Sequence, residues 1–121
     1  MTDSAAFDGK DVEAVWGSPI HCVLTGIWQF CDQQHIMGRG GKYDRDIHSS
    51  IFNMIPLNRD IHKGSYRDHP LMRVLFLNIA RSKIHEAEMR GEYECTDNDR
   101  DFLKMYARYY DFAWDSLSTN L

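Results

Sequence analysis

A stretch in the middle of the chain constrains the fold more than any other. Apolar and polar residues alternate over residues 28–36, a pattern that predicts a β-strand. A second apolar run, 51–57, predicts another strand. Asn58 can then cap a short helix that includes residues 62–63 and ends at Gly64. The sequence therefore predicts a β-hairpin that leads directly into a short helix.

The two predicted strands are joined by a long polar connection, residues 38–50. It is rich in glycine and charge and contains the run Gly38-Arg39-Gly40-Gly41. Connections of about a dozen residues without secondary structure are uncommon, and they are often functional. We therefore expect this connection to take part in binding or catalysis.

The C-terminal half is predicted to be helical. A first helix is expected to be capped by Asp68, to run to about Arg90 and to stop at Gly91. The residues with helical spacing in it are Leu71, Val74, Leu75, Asn78, Ile79, Ser82 and Glu86. A second helix is expected to begin at Thr96-Asp97-Asn98-Asp99. Its apolar and aromatic stripe, predicted as a core or dimer face, is Phe102, Leu103, Tyr106, Tyr109, Tyr110, Ala113 and Leu117.

The fold class that follows is α+β. Two strands and one short helix bury too little apolar surface alone, so the C-terminal helices are expected to supply the core. We predict one domain over residues 1–121, a length that suits a single small domain. Its parts are a mobile N-terminal arm, 1–18, with a short helix as an alternative near its end, the hairpin and helix, 27–69, and two packing helices, 70–121.

Charge is unevenly distributed along the chain. The net charge is −4, but ten of the 14 Lys/Arg and six of the 18 Asp/Glu lie within residues 36–90. A basic middle between acidic ends fits a surface that faces phosphate. A chance fluctuation of a few charges is the alternative.

The three cysteines, Cys22, Cys31 and Cys95, include no Cys-x-x-Cys pair, so a structural zinc knuckle is not expected. We expect buried, reduced thiols, and a Cys22–Cys31 bridge is the disfavoured alternative in a reducing compartment.

The polar N-terminus has no signal-peptide pattern, and no apolar run approaches the ~20 residues that span a bilayer. Cytoplasmic localisation and no membrane association are expected.

The middle of the chain resembles the HNH, or ββα-metal, endonuclease family, in the style of the small HNH proteins of phages. The resemblance covers about a third of the chain, roughly residues 28–69. The matching residues are His35, Ile36, Arg39, Asn53, the Ile-Pro-Leu of residues 55–57, and His62.

The resemblance implies specific roles for three of these residues. His35 would be the general base that deprotonates the attacking water, because the pKa of an imidazole lies near neutral pH. Asn53 would brace the loop that aims this base, and His62 would bind a metal ion. The alternatives are an ordinary histidine at a strand end and an asparagine that bonds its own backbone.

The metal site departs from the family pattern. Gln34 stands where the family usually has a metal-binding Asp or His, and Gln is a poor ligand for a dication. Tyr66 stands where a second histidine is often found. Gln34 could bind weakly with His62, Asp32 or His69 could replace the missing ligand, or the site could be degenerate. The resemblance implies one divalent ion, with Mg²⁺ expected and Mn²⁺ or Zn²⁺ as alternatives.

The function implied is a metal-dependent DNA endonuclease of low sequence specificity, acting in a bacterial host or a phage-infected cell. Arg39 and Lys42 would grip phosphates of the DNA. A monomer would nick, whereas a homodimer could cut both strands. One alternative is a catalytically degenerate HNH fold that binds nucleic acid or protein. Another is a structural Zn²⁺ protein without a DNA role.

Overall fold

The computed structural model describes residues 7–38, 47–62 and 69–110, without the side chain of His62. Helices and strands are mixed in this part of the chain, as the α+β class requires. The elements in chain order are α1 (Gly9–Trp16), β1 (Cys31–His35), β2 (Met54–Asn58), α2 (Arg59–His62), α3 (Pro70–Met89), α4 (Asp97–Met105) and α5 (Ala107–Tyr110).

Strands β1 and β2 pair in antiparallel fashion, with Cys31 opposite Asn58 and His35 opposite Met54. The first strand is shorter than predicted because Phe30 has a φ of 56°, a left-handed conformation that an extended strand cannot contain. The pairing therefore begins only at Cys31.

The second strand also begins later than predicted. Residues Ile51–Asn53 form a 3₁₀ turn rather than strand, and the Ser50 hydroxyl accepts the Phe52 N–H at 3.2 Å to cap it. Such a side-chain cap offers the backbone an alternative to the ladder. The ladder accordingly starts at Met54 and includes Pro56, which lies opposite Gln33.

Helix α2 follows β2 without a gap. The Asn58 side-chain oxygen accepts the Asp60 N–H at 2.9 Å, so the predicted cap is confirmed. The helix contacts both strands. Its predicted end at Gly64 lies outside the described residues.

At the N-terminus, the short-helix alternative is the one observed. Asp8 caps α1 by accepting the N–H groups of Lys10 and Asp11. Val12 and Val15 are buried, and the helix packs against α3. Residues 9–16 are therefore part of the packed structure. Residues 1–6 of the predicted arm lie outside the described range.

Helix α3 is capped by His69 rather than by the predicted Asp68, which lies outside the described residues. The Nδ1 atom of His69 accepts the Leu71 N–H at 3.2 Å. Pro70 favours this arrangement because the residue before a proline is held in the extended conformation of an N-cap. The predicted stop is confirmed, since Arg90 is the C-cap and Gly91 follows with a φ of 77°.

The buried face of α3 is not the one that the predicted stripe describes. The buried residues are Phe76, Leu77, Ala80, Ile84 and Ala87, whereas Leu71 and Leu75 are exposed. The buried face is offset by one residue, about 100° around the helix. Two alanines on this face leave room for close approach of the neighbouring elements, which include β2 and the 3₁₀ turn before it. No helix in the described ranges is both long and apolar enough to cross a bilayer.

The predicted start of the second C-terminal helix is confirmed. The Thr96 hydroxyl accepts the Asp99 N–H, and the Asp99 carboxylate accepts the Thr96 N–H, which together form a capping box. The helix is interrupted at Tyr106, after which α5 reaches Tyr110. Of the predicted stripe, Phe102 and Tyr110 are buried in the core, while Ala113 and Leu117 lie outside the described residues.

Asp99 also joins α4 to the turn that precedes β2. Its buried carboxylate accepts the Ser50 hydroxyl at 2.6 Å and the hydroxyl of Tyr93. Burial, with the hydrogen bond to Asp99, raises the pKa of Tyr93 above its ordinary value. The carboxylate therefore holds three chain segments together.

We predict that Asp99→Ala lowers the free energy of unfolding by about 2–4 kcal/mol, because it leaves the Ser50 and Tyr93 hydroxyls without their acceptor. Urea denaturation followed by circular dichroism measures this change. Asp97→Ala is the control, since the Asp97 side chain is 94% exposed on the same helical turn. An equal loss in the two variants would contradict the role assigned to Asp99.

Candidate functional site

The end of the hairpin that carries His35 is held by one buried side chain, Asn53. Its Oδ1 accepts the Met37 N–H at 2.7 Å, and its Nδ2 donates to the Met37 carbonyl at 3.1 Å and to the His48 carbonyl at 3.0 Å. The Asn53 backbone carbonyl also accepts the Ile36 N–H at 2.8 Å. Asn53 is fully buried, so water does not compete for these bonds. The chain is therefore fixed just after His35.

His35 is the last residue of β1 and is partly buried. The ring of Phe7 lies against its imidazole, with the ring centroids 4.5 Å apart and the planes tilted by 34°. Phe7 precedes α1, so the N-terminal segment covers one side of the candidate base. This contact limits the rotation of the ring. The sequence predicted no such contact, because Phe7 and His35 are distant along the chain.

Gln34 and Asp32 lie on the same face of β1, because side chains alternate along a strand. Asp32 shows which face this is. Its carboxylate oxygens accept Nε and Nη2 of Arg59, each at 3.2 Å, and Arg59 is the first residue of α2. Gln34 therefore shares the face of the sheet on which Asp32 contacts the Arg59 side chain. Asp32, the predicted substitute ligand, is instead paired with Arg59.

The other predicted ligands are brought together only in part. His62 ends α2, and its side chain lies outside what the structure describes. His69 uses Nδ1 to cap α3, which leaves Nε2 as the nitrogen that could bind an ion. Arg39 and Lys42 lie outside the described residues. Over residues 7–38, 47–61 and 69–110, no three His, Cys, Asp or Glu side chains are grouped so that they could hold a metal ion.

A second buried contact supports the residues around Asn53. The Nε2 atom of His48 lies 2.6 Å from the Tyr106 hydroxyl, and His48 is fully buried. The carbonyl of the same residue accepts the Asn53 amide. His48 thus links the end of α4 to the brace beside His35. A role for His48 could not be predicted from the sequence, because its hydrogen-bond partner Tyr106 lies 58 residues away, beyond the range of any local pattern.

The cysteines do not offer an alternative nucleophile. Burial raises the pKa of Cys31 to about 11 and that of Cys95 to about 12, with the hydrogen bond to Glu88 adding to the latter. These two thiols are protonated at neutral pH and are therefore poor nucleophiles. Burial also raises the pKa of Cys22, but hydrogen bonds from Thr25 and backbone groups outweigh it and lower the value. Cys22 is buried, away from solvent. All three cysteines are free thiols.

Comparison of the chain with models of protein families, with curated proteins and with solved structures gives no match.

We predict that Asn53→Ala destabilises the fold by about 2–4 kcal/mol, because one N–H and two carbonyl groups lose their buried partner. It should also accelerate hydrogen exchange at the Met37 amide. Urea denaturation and NMR-detected exchange measure the two effects. The control is Gln33→Ala, because Gln33 is the one exposed residue of β1. Unchanged exchange at Met37 in Asn53→Ala would disprove the brace.

Proposed function

We propose that the chain is a metal-dependent DNA endonuclease of the ββα-metal type. The main support is the Asn53 brace, which ties the main chain of Met37, two residues after His35, to the start of β2. A catalytic base must be held within a few tenths of an ångström of its productive position, and buried hydrogen bonds of this kind provide that constraint. The order of the elements, β1, β2 and then α2 without a gap, is the second support.

In this proposal His35 accepts the proton of the attacking water. Its ring is held on one side by Phe7, and its main chain continues into the braced residues Ile36 and Met37. General bases of this kind contribute roughly 10²–10⁴-fold to a rate. The Phe7 contact and the Asn53 hydrogen bonds to Met37 both support the assignment of His35 as the base.

The donors available for a divalent ion are the Gln34 side-chain oxygen, a ring nitrogen of His62 and Nε2 of His69. Gln34 has the same strand parity as Asp32, which pairs with Arg59, the first residue of α2, and α2 carries His62. The set is uncharged, which favours weak binding of a hard dication. When bound, a divalent ion would supply the positive charge that stabilises the pentacoordinate phosphate and the leaving oxygen.

Arg39 and Lys42 would bind the phosphates on either side of the scissile bond. Both belong to the basic middle of the chain, whose charge opposes that of the DNA backbone. These contacts read no bases, so sequence specificity is expected to be low.

One observation favours a second candidate, a binding module that has lost its metal. Gln34 lacks the carboxylate or imidazole that a dication prefers. Such a module would keep the braced hairpin and bind nucleic acid without cutting it. A plasmid-nicking assay distinguishes the two candidates.

We predict that the wild-type protein nicks supercoiled plasmid with Mg²⁺ or Mn²⁺ and is inactive in EDTA. His35→Ala should reduce the rate by about 10²–10⁴-fold, because the water then has no base. His62→Ala should abolish the response to metal. His85→Ala is the matched control, since this histidine is exposed on α3, which is not part of the hairpin, and it should nick at the wild-type rate.

Nicking that persists in EDTA or is equal in His35→Ala would contradict the proposed site. Absence of nicking in a protein whose circular dichroism spectrum shows a folded chain would favour the binding module. The same plasmid preparations, retarded on a gel in EDTA, then report whether binding remains.

A further inference from the structure

The loop before β1 presents an unusual concentration of exposed apolar side chains. Leu24 and Ile27 are exposed, Trp28 is 53% exposed, and Phe30 is 71% exposed. Two exposed aromatic residues thus lie two positions apart in the chain, next to the end of the hairpin where α2 begins. Large apolar side chains exposed on one loop often mark an interaction site.

The loop is held in a defined shape by the elements around it. The Arg59 N–H donates to the Phe30 carbonyl at 2.8 Å, and the Asn58 side-chain amide donates to the Gln29 carbonyl at 3.2 Å. On the other side, the Cys22 N–H donates to the Ile27 carbonyl at 3.0 Å. Trp28 lies between these anchored residues. The aromatic pair is therefore presented on a fixed backbone.

Phe30 itself adopts a conformation that costs energy. Its φ of 56° lies in the left-handed region, which a bulky aromatic residue adopts rarely. Strain of this kind is concentrated at functional sites. Here the strained conformation leaves the ring mostly exposed rather than buried in the core, so packing does not account for it.

A positive charge accompanies the exposed ring. The Arg59 guanidinium lies 5.9 Å from the centroid of Phe30, within cation–π range. Asp32 accepts two of its five N–H groups through Nε and Nη2, which holds the guanidinium plane in place. Three N–H donors remain outside this pair, beside the aromatic surface. They are suited to a phosphate oxygen.

We propose that Trp28 and Phe30 form a platform on which unpaired bases of the DNA substrate stack, with Arg59 on the adjoining phosphate. The inference rests on the proposed nuclease function and specifies its substrate as DNA with a single-stranded region beside the cleaved bond. Aromatic faces bind any base by stacking, and an adjacent arginine binds the backbone, which is the combination found in single-strand binding surfaces. A paired duplex keeps its bases stacked inside and cannot use the platform.

The position of the platform fits this substrate. Phe30 directly precedes β1 and His35 is its last residue, so their Cα atoms are five residue steps apart, roughly 16 Å at about 3.3 Å per residue. A few nucleotides of extended single strand cover that distance. One strand could therefore contact both the platform and the candidate base.

The test measures binding of a labelled 12-nucleotide single strand and of the matching duplex by fluorescence anisotropy, with the full chain in EDTA. The wild type should bind the single strand more tightly. Trp28→Ala and Phe30→Ala should each weaken single-strand binding by about fivefold or more and leave duplex binding unchanged. Met89→Ala is the control, because Met89 is 75% exposed at the far end of α3 and should bind as the wild type does.

Equal losses for single strand and duplex, or no loss in either aromatic variant, would overturn the platform. Binding of the wild type to vesicles of anionic phospholipid, lost in Phe30→Ala without loss of single-strand binding, would overturn it in favour of a lipid surface. Plasmid nicking by the same preparations separates the two proposals. If the protein nicks plasmid in a metal-dependent way but shows no preference for single strands, only the platform is overturned. If single-strand binding needs both Trp28 and Phe30 but no nicking occurs, the platform is supported and only the nuclease proposal is overturned.

Discussion

The buried amide of Asn53 is the interaction on which the candidate site depends. One side chain satisfies both main-chain groups of Met37 and the carbonyl of His48. It thereby joins the chain after β1 to the chain before β2, at the end of the sheet where His35 lies. Because the Asn53 side chain is fully buried, loss of these hydrogen bonds would leave buried polar groups unpaired and lower the stability of the fold. The position of His35 follows from this constraint.

Residues at the two ends of α4 also contact the segment that holds Asn53. Asp99 at the start of α4 accepts the Ser50 hydroxyl, and Tyr106 at the end of α4 contacts His48. Both partners lie just before β2, in the segment that holds Asn53. Two strands alone are too small to be stable, and the core is shared by the hairpin segment, α1, α3 and the α4–α5 region. The two polar contacts join α4 to the hairpin segment of this core. The site is consequently sensitive to changes in helices far from it along the chain.

Local signals predicted much of the fold. Asn58, Gly91 and Thr96 mark helix boundaries because capping depends on neighbouring residues. The predictions that were wrong concern features set by residues distant in the chain or by a local conformation that competes with the strand. The buried face of α3 is set by what packs on it, and the strand boundaries moved because of the left-handed Phe30 and the capped 3₁₀ turn. The contacts of His35 with Phe7 and of Asp32 with Arg59 needed the folded chain.

The most direct test of a metal site on the hairpin is to locate a bound ion by NMR, using the paramagnetic broadening caused by Mn²⁺. If the hairpin binds the ion, the Gln34, His35 and His62 amides broaden selectively. In Gln34→Asp the same broadening is expected at a lower Mn²⁺ concentration, because a carboxylate is a better ligand than an amide. Absence of selective broadening, or broadening confined to the acidic start of α4, would contradict a metal site on the hairpin.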